Sequence, residues 1–312
     1  MNWKVLVTAR SFAISDITPQ KLLEDAGCLV IRGRADEGLR DLLQDVDGVI
    51  AGLESYTKEV FDSAPRLKII SRYGVGYDAI DLKAAKNANI AVAITPGANS
   101  AAVADLTIAL MLNAARHIPF MDGAVKSGLG AQRKFGFEIW RKTLGIIGAG
   151  RVGKGVIQRS SGFEMRVLCC DAVRDKAFAE KYKARFVDLD TLLRESDFIS
   201  IHTPLTAQTN KIIDSKALSK MKKNAVLINT ARGGIIDEAA LFKALCDGQI
   251  AACALDVLED ESSYDSELCK LPNCIITPHA GSSTHEATLN MGMLAAKNLL
   301  DFLTTGKCEN LL

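Results

Sequence analysis

Short apolar runs without polar alternation punctuate the first third of the chain: Val5-Leu6-Val7, Leu29-Val30-Ile31, Val49-Ile50-Ala51, Ile69-Ile70 and Ile90-Ala91-Val92-Ala93-Ile94. Strands buried on both faces of a parallel sheet carry this signature, so strands are expected at 4–8, 28–32, 48–51, 68–71 and 90–94. Helix-period segments at 19–26 and 39–43 separate them. A second series opens at 143–147 and continues at 166–170, 198–201, 225–229, 251–256 and 274–277, again with helical patterns between. Two strand–helix series predict an α/β chain of two doubly wound parallel-sheet domains. Pro96-Gly97 breaks the pattern between them, ahead of an almost wholly apolar helix at 100–116. That helix is expected to be buried between domains or in a subunit contact, and a mostly apolar helix at 285–303 to return the chain to the first domain.

Composition narrows the function classes. A length of 312 residues suits two domains, and 48% hydrophobic residues fill two cores. A net charge of +1 argues against nucleic acid and anionic membrane surfaces, which select strongly basic patches. Met1-Asn2-Trp3-Lys4-Val5-Leu6-Val7 lacks the pattern of a signal peptide, and no run reaches the ~18 apolar residues of a membrane span. The eight cysteines form no Cys-x-x-Cys pair, so they read as reduced, mostly buried thiols of a cytoplasmic protein. No His/Cys cluster has metal-ligand spacing, and no metal is expected.

The expected strand at 143–147 leads into Gly148-Ala149-Gly150-Arg151-Val152-Gly153 and a helical pattern. Asp171, about 20 residues on, ends the next strand, which completes a dinucleotide fingerprint. Gly148 serves the tight turn, Gly150 lets backbone approach a pyrophosphate, and Gly153 permits close helix–strand packing. The helix start at Arg151-Val152 offers free N–H groups and a partial positive charge to the phosphates. Asp171 should accept from ribose hydroxyls and repel a 2′-phosphate, favouring NAD over NADP, although Arg174 lies three residues on.

Three further strand ends carry reactive side chains. Arg232 follows the strand at 225–229, Asp256 and Glu261 that at 251–256, and His279 that at 274–277. Ligands of open α/β sheets sit at the carboxyl ends of strands, so all three face one edge. Oxidising a 2-hydroxy acid needs a base for the hydroxyl proton while hydride leaves the same carbon, and histidine serves in both directions. Glu261 would orient the imidazole, and Arg232 would hold the substrate carboxylate and polarise the carbonyl. Of the other histidines, His117 should end a helix, His285 start one, and His202 sit in a loop near the adenine.

The glycine fingerprint, Asn229-Thr230-Ala231-Arg232-Gly233-Gly234, Asp256-Val257 with Glu261, and Thr277-Pro278-His279 together resemble the D-isomer-specific 2-hydroxyacid dehydrogenases over the whole chain. Within that family the pattern is most like the short 3-phosphoglycerate dehydrogenases. The resemblance implies a catalytic set of Arg232, Glu261 and His279, with Asp256 at the nicotinamide carboxamide. Thr203-Pro204-Leu205-Thr206, with His202, matches the family's loop beside the adenosine, and Thr230, Ala231 and Gly281 are expected to line NAD. It also implies a Rossmann-type NAD-binding domain, 98–284, inserted in a flavodoxin-like substrate domain made of 1–97 and 285–312. Arg72-Tyr73-Gly74-Val75-Gly76 should receive the substrate carboxylate, with Tyr56, Asn99 and Ser100 as further substrate-side residues. A homodimer is implied as well. The sequence departs from the family at Ser262 (usually Pro), Asp105 (commonly Glu) and Arg141 (frequently Gly).

The resemblance implies a small 2-hydroxy or 2-keto acid as substrate. Phosphoglycerate leads as a single guess, but Glu54 would repel a phosphate, so glyoxylate and hydroxypyruvate stay open. Two rival readings share the fold: an NAD-sensing, corepressor-like binding protein without turnover, and a formate dehydrogenase, against which Glu261 argues.

Overall fold

A computed structural model describes residues 3–33 and 38–312, leaving Met1 and Asn2 of the N-terminal run outside the described residues. The first elements are β1 (Lys4–Val7), α1 (Thr18–Asp25), β2 (Leu29–Arg32), α2 (Leu39–Leu42), β3 (Gly48–Ala51), α3 (Lys58–Asp62), β4 (Ile69–Arg72), α4 (Leu82–Asn87) and β5 (Ala91–Ala93). Then follow α5 (Ser100–Arg116), α6 (Ile118–Lys126), β6 (Thr143–Ile147), α7 (Arg151–Ser160), β7 (Arg166–Cys170), α8 (Lys176–Tyr182), β8 (Ala184–Phe186), α9 (Leu189–Glu195) and β9 (Phe198–Ile201). The last are α10 (Ser215–Lys220), β10 (Val226–Asn229), α11 (Glu238–Cys246), β11 (Ala252–Leu255), β12 (Cys274–Ile276) and α12 (His285–Thr305). The chain forms two units, one of Met1–Asn99 with Ser282–Leu312 and one of Ser100–Gly281.

The first unit is a five-stranded parallel sheet of order β2-β1-β3-β4-β5. The runs of β1, β3 and β4 are uninterrupted because both faces are covered, whereas β2, at the sheet edge, leaves Leu29 exposed. Leu6, Val49, Ile70 and Val92 face one core with Tyr56, Val60 and Phe61, while Val5, Val7, Ile50 and Ile69 face another with Met291, Ala295 and Leu299 of α12. Each such fully buried aliphatic contributes about 1.5–3 kcal/mol. Asp81 caps α4 through the backbone N–H of Ala84, and Thr284 caps α12 through that of Ala287.

The second unit is a seven-stranded parallel sheet of order β12-β11-β10-β9-β6-β7-β8. Strand order reverses at β6/β9, the switch point where a doubly wound sheet opens a crevice. Short β8, Ala-Arg-Phe at the sheet edge, escapes sequence reasoning because its exposed arginine interrupts any apolar run.

Helix α5 packs within its own unit, where Ala104, Leu110, Met111, Ala114 and Ala115 are buried with Leu144, Val156 and Ile228. Its apolar composition reflects packing on α7, β10 and β11. The cysteines are not mostly buried: Cys28, Cys169 and Cys253 are, whereas Cys246 and Cys269 are exposed and the other three intermediate. Among the described residues no single helix is long and apolar enough to cross a membrane.

Candidate active site

Three adjacent strands end side by side and their ladder continues beyond them. Asp256 N donates to Asn229 O at 2.8 Å, Thr277 N to Leu255 O at 2.9 Å, and His279 N to Asp256 O at 3.0 Å. The Arg232, Asp256 and His279 segments therefore line one edge in register.

His279 Nδ1 lies 2.8 Å from Glu261 Oε2, with the two side chains 31% and 28% exposed. Nδ1–H donating to the carboxylate fixes the tautomer and turns Nε2 into the proton-exchanging atom. The residue sits at φ 50, a left-handed conformation uncommon outside glycine that clusters at functional sites. Its turn is held by Asp256, 1% exposed. Thr277 Oγ1 donates to Asp256 Oδ1 at 2.6 Å, Ala280 N to Oδ1 at 2.8 Å and Gly281 N to Oδ2 at 2.8 Å. Burial raises the Asp256 pKa even though these donors favour its charged form.

The Arg232 turn is braced by Asn229, whose Oδ1 accepts from Ala231 N at 3.0 Å and whose Nδ2 donates to Arg232 O at 2.8 Å. Arg232 Nη1 donates to Ala231 O at 2.7 Å. Thr230 Oγ1 meets Thr107 Oγ1 of α5 at 3.0 Å, anchoring the same turn. At Gly233 an added Cβ would lie 2.0 Å from Leu258 C and 2.4 Å from Glu259 N. Only a glycine lets this turn press against the loop that carries Glu261. Glu238 of α11 ties that loop from beneath, accepting from Glu259 N at 2.5 Å and from Ser266 Oγ at 3.3 Å. Ser262, where the family usually has proline, donates its N–H to Asp260 Oδ1 at 2.8 Å, a bond proline cannot make.

The glycine loop fits NAD. Gly148, at φ 94, would place a Cβ 2.6 Å from His202 O, and one at Gly153 would lie 2.1 Å from Gly148 O, so helix and loop pack at backbone contact. A Cβ on Gly150 meets nothing within 4 Å, which leaves open space at the start of α7. No side chain caps that helix start at Arg151, so its N–H groups remain to meet phosphate. Asp171 Oδ2 accepts from Ala149 N at 2.6 Å and Oδ1 from Val173 N at 2.8 Å, holding the carboxylate at the rim of the loop. A carboxylate fixed there suits ribose hydroxyls and disfavours a 2′-phosphate.

His202 is a loop residue. It directly follows β9, its Nε2 lies 2.8 Å from Ser200 Oγ, and its buried Nδ1 has no hydrogen-bond partner. Burial holds its pKa down at about 3, so the ring is neutral. Thr203, Pro204 and Thr206 continue from it, with Thr206 Oγ1 3.1 Å from Thr209 Oγ1. His117, in a left-handed turn between α5 and α6, and His285, first residue of α12, fall at helix boundaries.

In the first unit, Arg72 ends β4 and folds along its own loop, donating from Nε to Gly76 O at 2.9 Å and from Nη1 to Tyr73 O. Tyr73 Oη donates to Thr288 O at 2.9 Å. The backbone of Gly74 and Val75 completes this loop, and Asn99 and Ser100 stand where one unit passes into the other. Tyr56 corrects its expectation: it is 1% exposed, stacked on Phe61 with ring centroids 6.4 Å apart, and its Oη is buried.

Residues 108–281 match the family described as D-isomer specific 2-hydroxyacid dehydrogenase, NAD binding domain. The chain belongs to the D-isomer-specific 2-hydroxyacid dehydrogenases. It is 44% identical over 273 residues to a glyoxylate reductase of Thermococcus litoralis, covering 85% of this chain and 82% of that one. It is 42% identical over 294 residues to D-3-phosphoglycerate dehydrogenase of Methanocaldococcus jannaschii, covering 93% of this chain but 56% of that longer one. The structure of D-lactate dehydrogenase from Aquifex aeolicus, complexed with NAD and lactic acid, superposes with a TM-score of 0.85 at 29% identity, covering 96% and 95% of the two chains. This dehydrogenase is thus an NAD-dependent oxidoreductase of 2-hydroxy acids, and its second unit contains the family's NAD-binding domain.

Sequence reasoning names Asn229 and Thr277 only as members of motifs and does not single out Thr107; their hydrogen bonds reveal what each holds. Arg141, where the family frequently has glycine, adopts φ 57, the conformation that glycine would favour.

Proposed function

We propose that this dehydrogenase interconverts a small, unphosphorylated 2-keto acid such as glyoxylate or hydroxypyruvate and its D-2-hydroxy acid, with Arg232, Glu261 and His279 as the catalytic residues. The observation that carries the reading is the 2.8 Å His279–Glu261 pair at the sheet edge where Arg232 also ends its strand. Bound at the Gly148–Gly153 loop, NAD supplies the hydride donor and acceptor. In the reducing direction His279 passes its Nε2 proton to the substrate oxygen as C2 is reduced, while Nδ1–H stays on Glu261. Arg232 stabilises charge developing on that oxygen and holds the carboxylate. The loop from Arg72 to Gly76 is assigned to the substrate carboxylate, and the backbone at Thr230, Ala231 and Gly281 to the cofactor.

The two relatives named above are a glyoxylate reductase and a phosphoglycerate dehydrogenase. Glu54, at the strand ends of the first unit, favours the former chemistry. We also assign this chain to a homodimer in a reducing cytoplasm. In support, Ile118, Phe120, Val125, Leu129, Phe135 and Trp140 form an exposed apolar arm, and all eight cysteines are unpaired. Light scattering that gives a monomer mass removes the dimer.

The deciding experiment follows NADH oxidation with glyoxylate, hydroxypyruvate and 3-phosphohydroxypyruvate. Turnover that His279→Ala lowers by about three orders of magnitude, with folding intact, is expected for acid–base catalysis combined with substrate orientation. Tight NADH binding without turnover of any keto acid would instead favour the corepressor-like reading.

A further inference from the structure

The first unit has its own switch point. In the order β2-β1-β3-β4-β5 the connections reverse between β1 and β3, and ligands of such sheets bind outside the strand ends at that crevice. A hydrogen bond bridges this point: Thr8, directly after β1, donates from Oγ1 to Glu54 Oε2, beyond β3, at 2.9 Å. Thr8 is 4% exposed and also accepts from Gly52 N at 3.2 Å, so its hydroxyl is fixed on both sides. Glu54 is folded back over the strand end, because a Cβ on Gly52 would lie 2.6 Å from its Oε1. Its carboxylate is therefore built into the crevice and does not trail into solvent.

The next strand end has the opposite sign. Arg72 closes β4, the strand paired with β3 on the side away from β1. Moving along the edge from β4 to β3, a ligand meets the Arg72–Gly76 loop and then the Glu54 carboxylate, held from behind by the buried Thr8 hydroxyl. Adjacent strands lie about 4.8 Å apart. A three-carbon acid spans about that distance, so with its carboxylate on the Arg72–Gly76 loop its C3 substituent falls over Glu54.

We propose that Glu54, held in place by Thr8, is a specificity-determining residue that turns away 2-keto acids with a second anionic group at C3 and admits those with no C3 or with a neutral hydroxyl there. The proposal rests on the 2-keto acid reductase reading above and sharpens it. A hydroxyl at C3 can donate to the free lone pairs of Glu54, whereas a phosphate or carboxylate would stand against its charge. Two like charges at that separation, in the partly screened rim of a protein, cost a factor of tens to about a hundred in binding.

The test measures kcat/KM with NADH for hydroxypyruvate and for two doubly anionic acids, 3-phosphohydroxypyruvate and oxaloacetate, in wild type and Glu54→Gln. Glutamine keeps the shape and an acceptor for Thr8. Wild type should favour hydroxypyruvate, and the substitution should raise the dianion-to-hydroxypyruvate ratio by about 10–100-fold, mostly through KM. A ratio that moves by less than about twofold overturns the proposal, as does a wild type that handles phosphohydroxypyruvate as well as hydroxypyruvate. Should the variant not fold, the wild-type ratio against ionic strength decides: screening must raise it if Glu54 repels the dianion, and a flat profile refutes the assignment. Wild type that reduces none of these acids nor glyoxylate overturns the reductase reading itself, a result distinct from an unmoved ratio.

Discussion

Asp256→Asn tests how the catalytic turn is held. Three donors converge on this buried carboxylate, from Thr277 Oγ1 at 2.6 Å and from Ala280 N and Gly281 N at 2.8 Å each. An asparagine oxygen can keep the first two, but its amide then faces the Gly281 N–H donor to donor. Losing that charge-assisted bond and leaving a buried N–H unsatisfied costs about 1.5–3 kcal/mol, and weakening the remaining two bonds adds ~1 kcal/mol. For a unit of this size, each kcal/mol lowers the unfolding midpoint by about 2–4 °C, so a drop of about 5–15 °C is expected by circular dichroism. The catalytic consequence follows from His279, whose N–H donates to Asp256 O and Thr277 O at 3.0 and 2.9 Å and whose φ of 50 is imposed by that turn. A shift near 1 Å in its imidazole should lower kcat by about 10–100-fold. A variant within about 1 °C and twofold of wild type refutes the reasoning. Loss confined to KM for NADH, with kcat intact, would assign the carboxylate to the nicotinamide and not to the turn.

Other consequences are equally direct. Gly233→Ala places a Cβ within 2.4 Å of backbone atoms of Leu258 and Glu259, so the Glu261 loop must move; about 1–3 kcal/mol of stability and most of kcat should be lost, and a variant with native melting and rate contradicts the packing. His202, with its pKa depressed to about 3, stays neutral in the fold. The unfolded chain takes up that proton below its ordinary 6.5, so the stability it contributes is whole above pH 6.5 and falls as pH drops toward 3. Between about pH 6.5 and 5 the wild type should lose ~2 kcal/mol more than His202→Asn in urea unfolding; parallel curves reject the assignment. Asp171→Ser should raise KM for NAD by about tenfold and improve the NADP-to-NAD ratio, with Arg174 nearby to receive a phosphate; an unchanged ratio means that this carboxylate does not choose the cofactor.

Much of the architecture is written in local chemistry. Apolar runs mark strands covered on both faces, and the observed β3, β6, β7 and β9 coincide with those runs because successive residues, such as Val49 and Ile50, each face a core on opposite sides of the sheet. Gly148 and Gly153 are legible for a related reason: each answers a backbone constraint that no other residue meets, while Gly150 leaves open space at the helix start, so spacing reports the loop. Arg232, Glu261 and His279 are legible because strand ends deliver them to one edge. The sequence could not reveal what braces them. Thr107 acts through a bond that closes only when α5 packs against the turn at Thr230, 123 residues on, and Tyr56 is expected on the substrate side although it lies buried against Phe61. Glu54 was visible as a charge, but its orientation depends on Thr8, 46 residues away and one strand over. Local periodicity and turn chemistry determine which elements form and which reactive side chains stand at their ends. Only the tertiary structure decides which of those side chains are held and aimed, because that depends on contacts between residues remote in sequence.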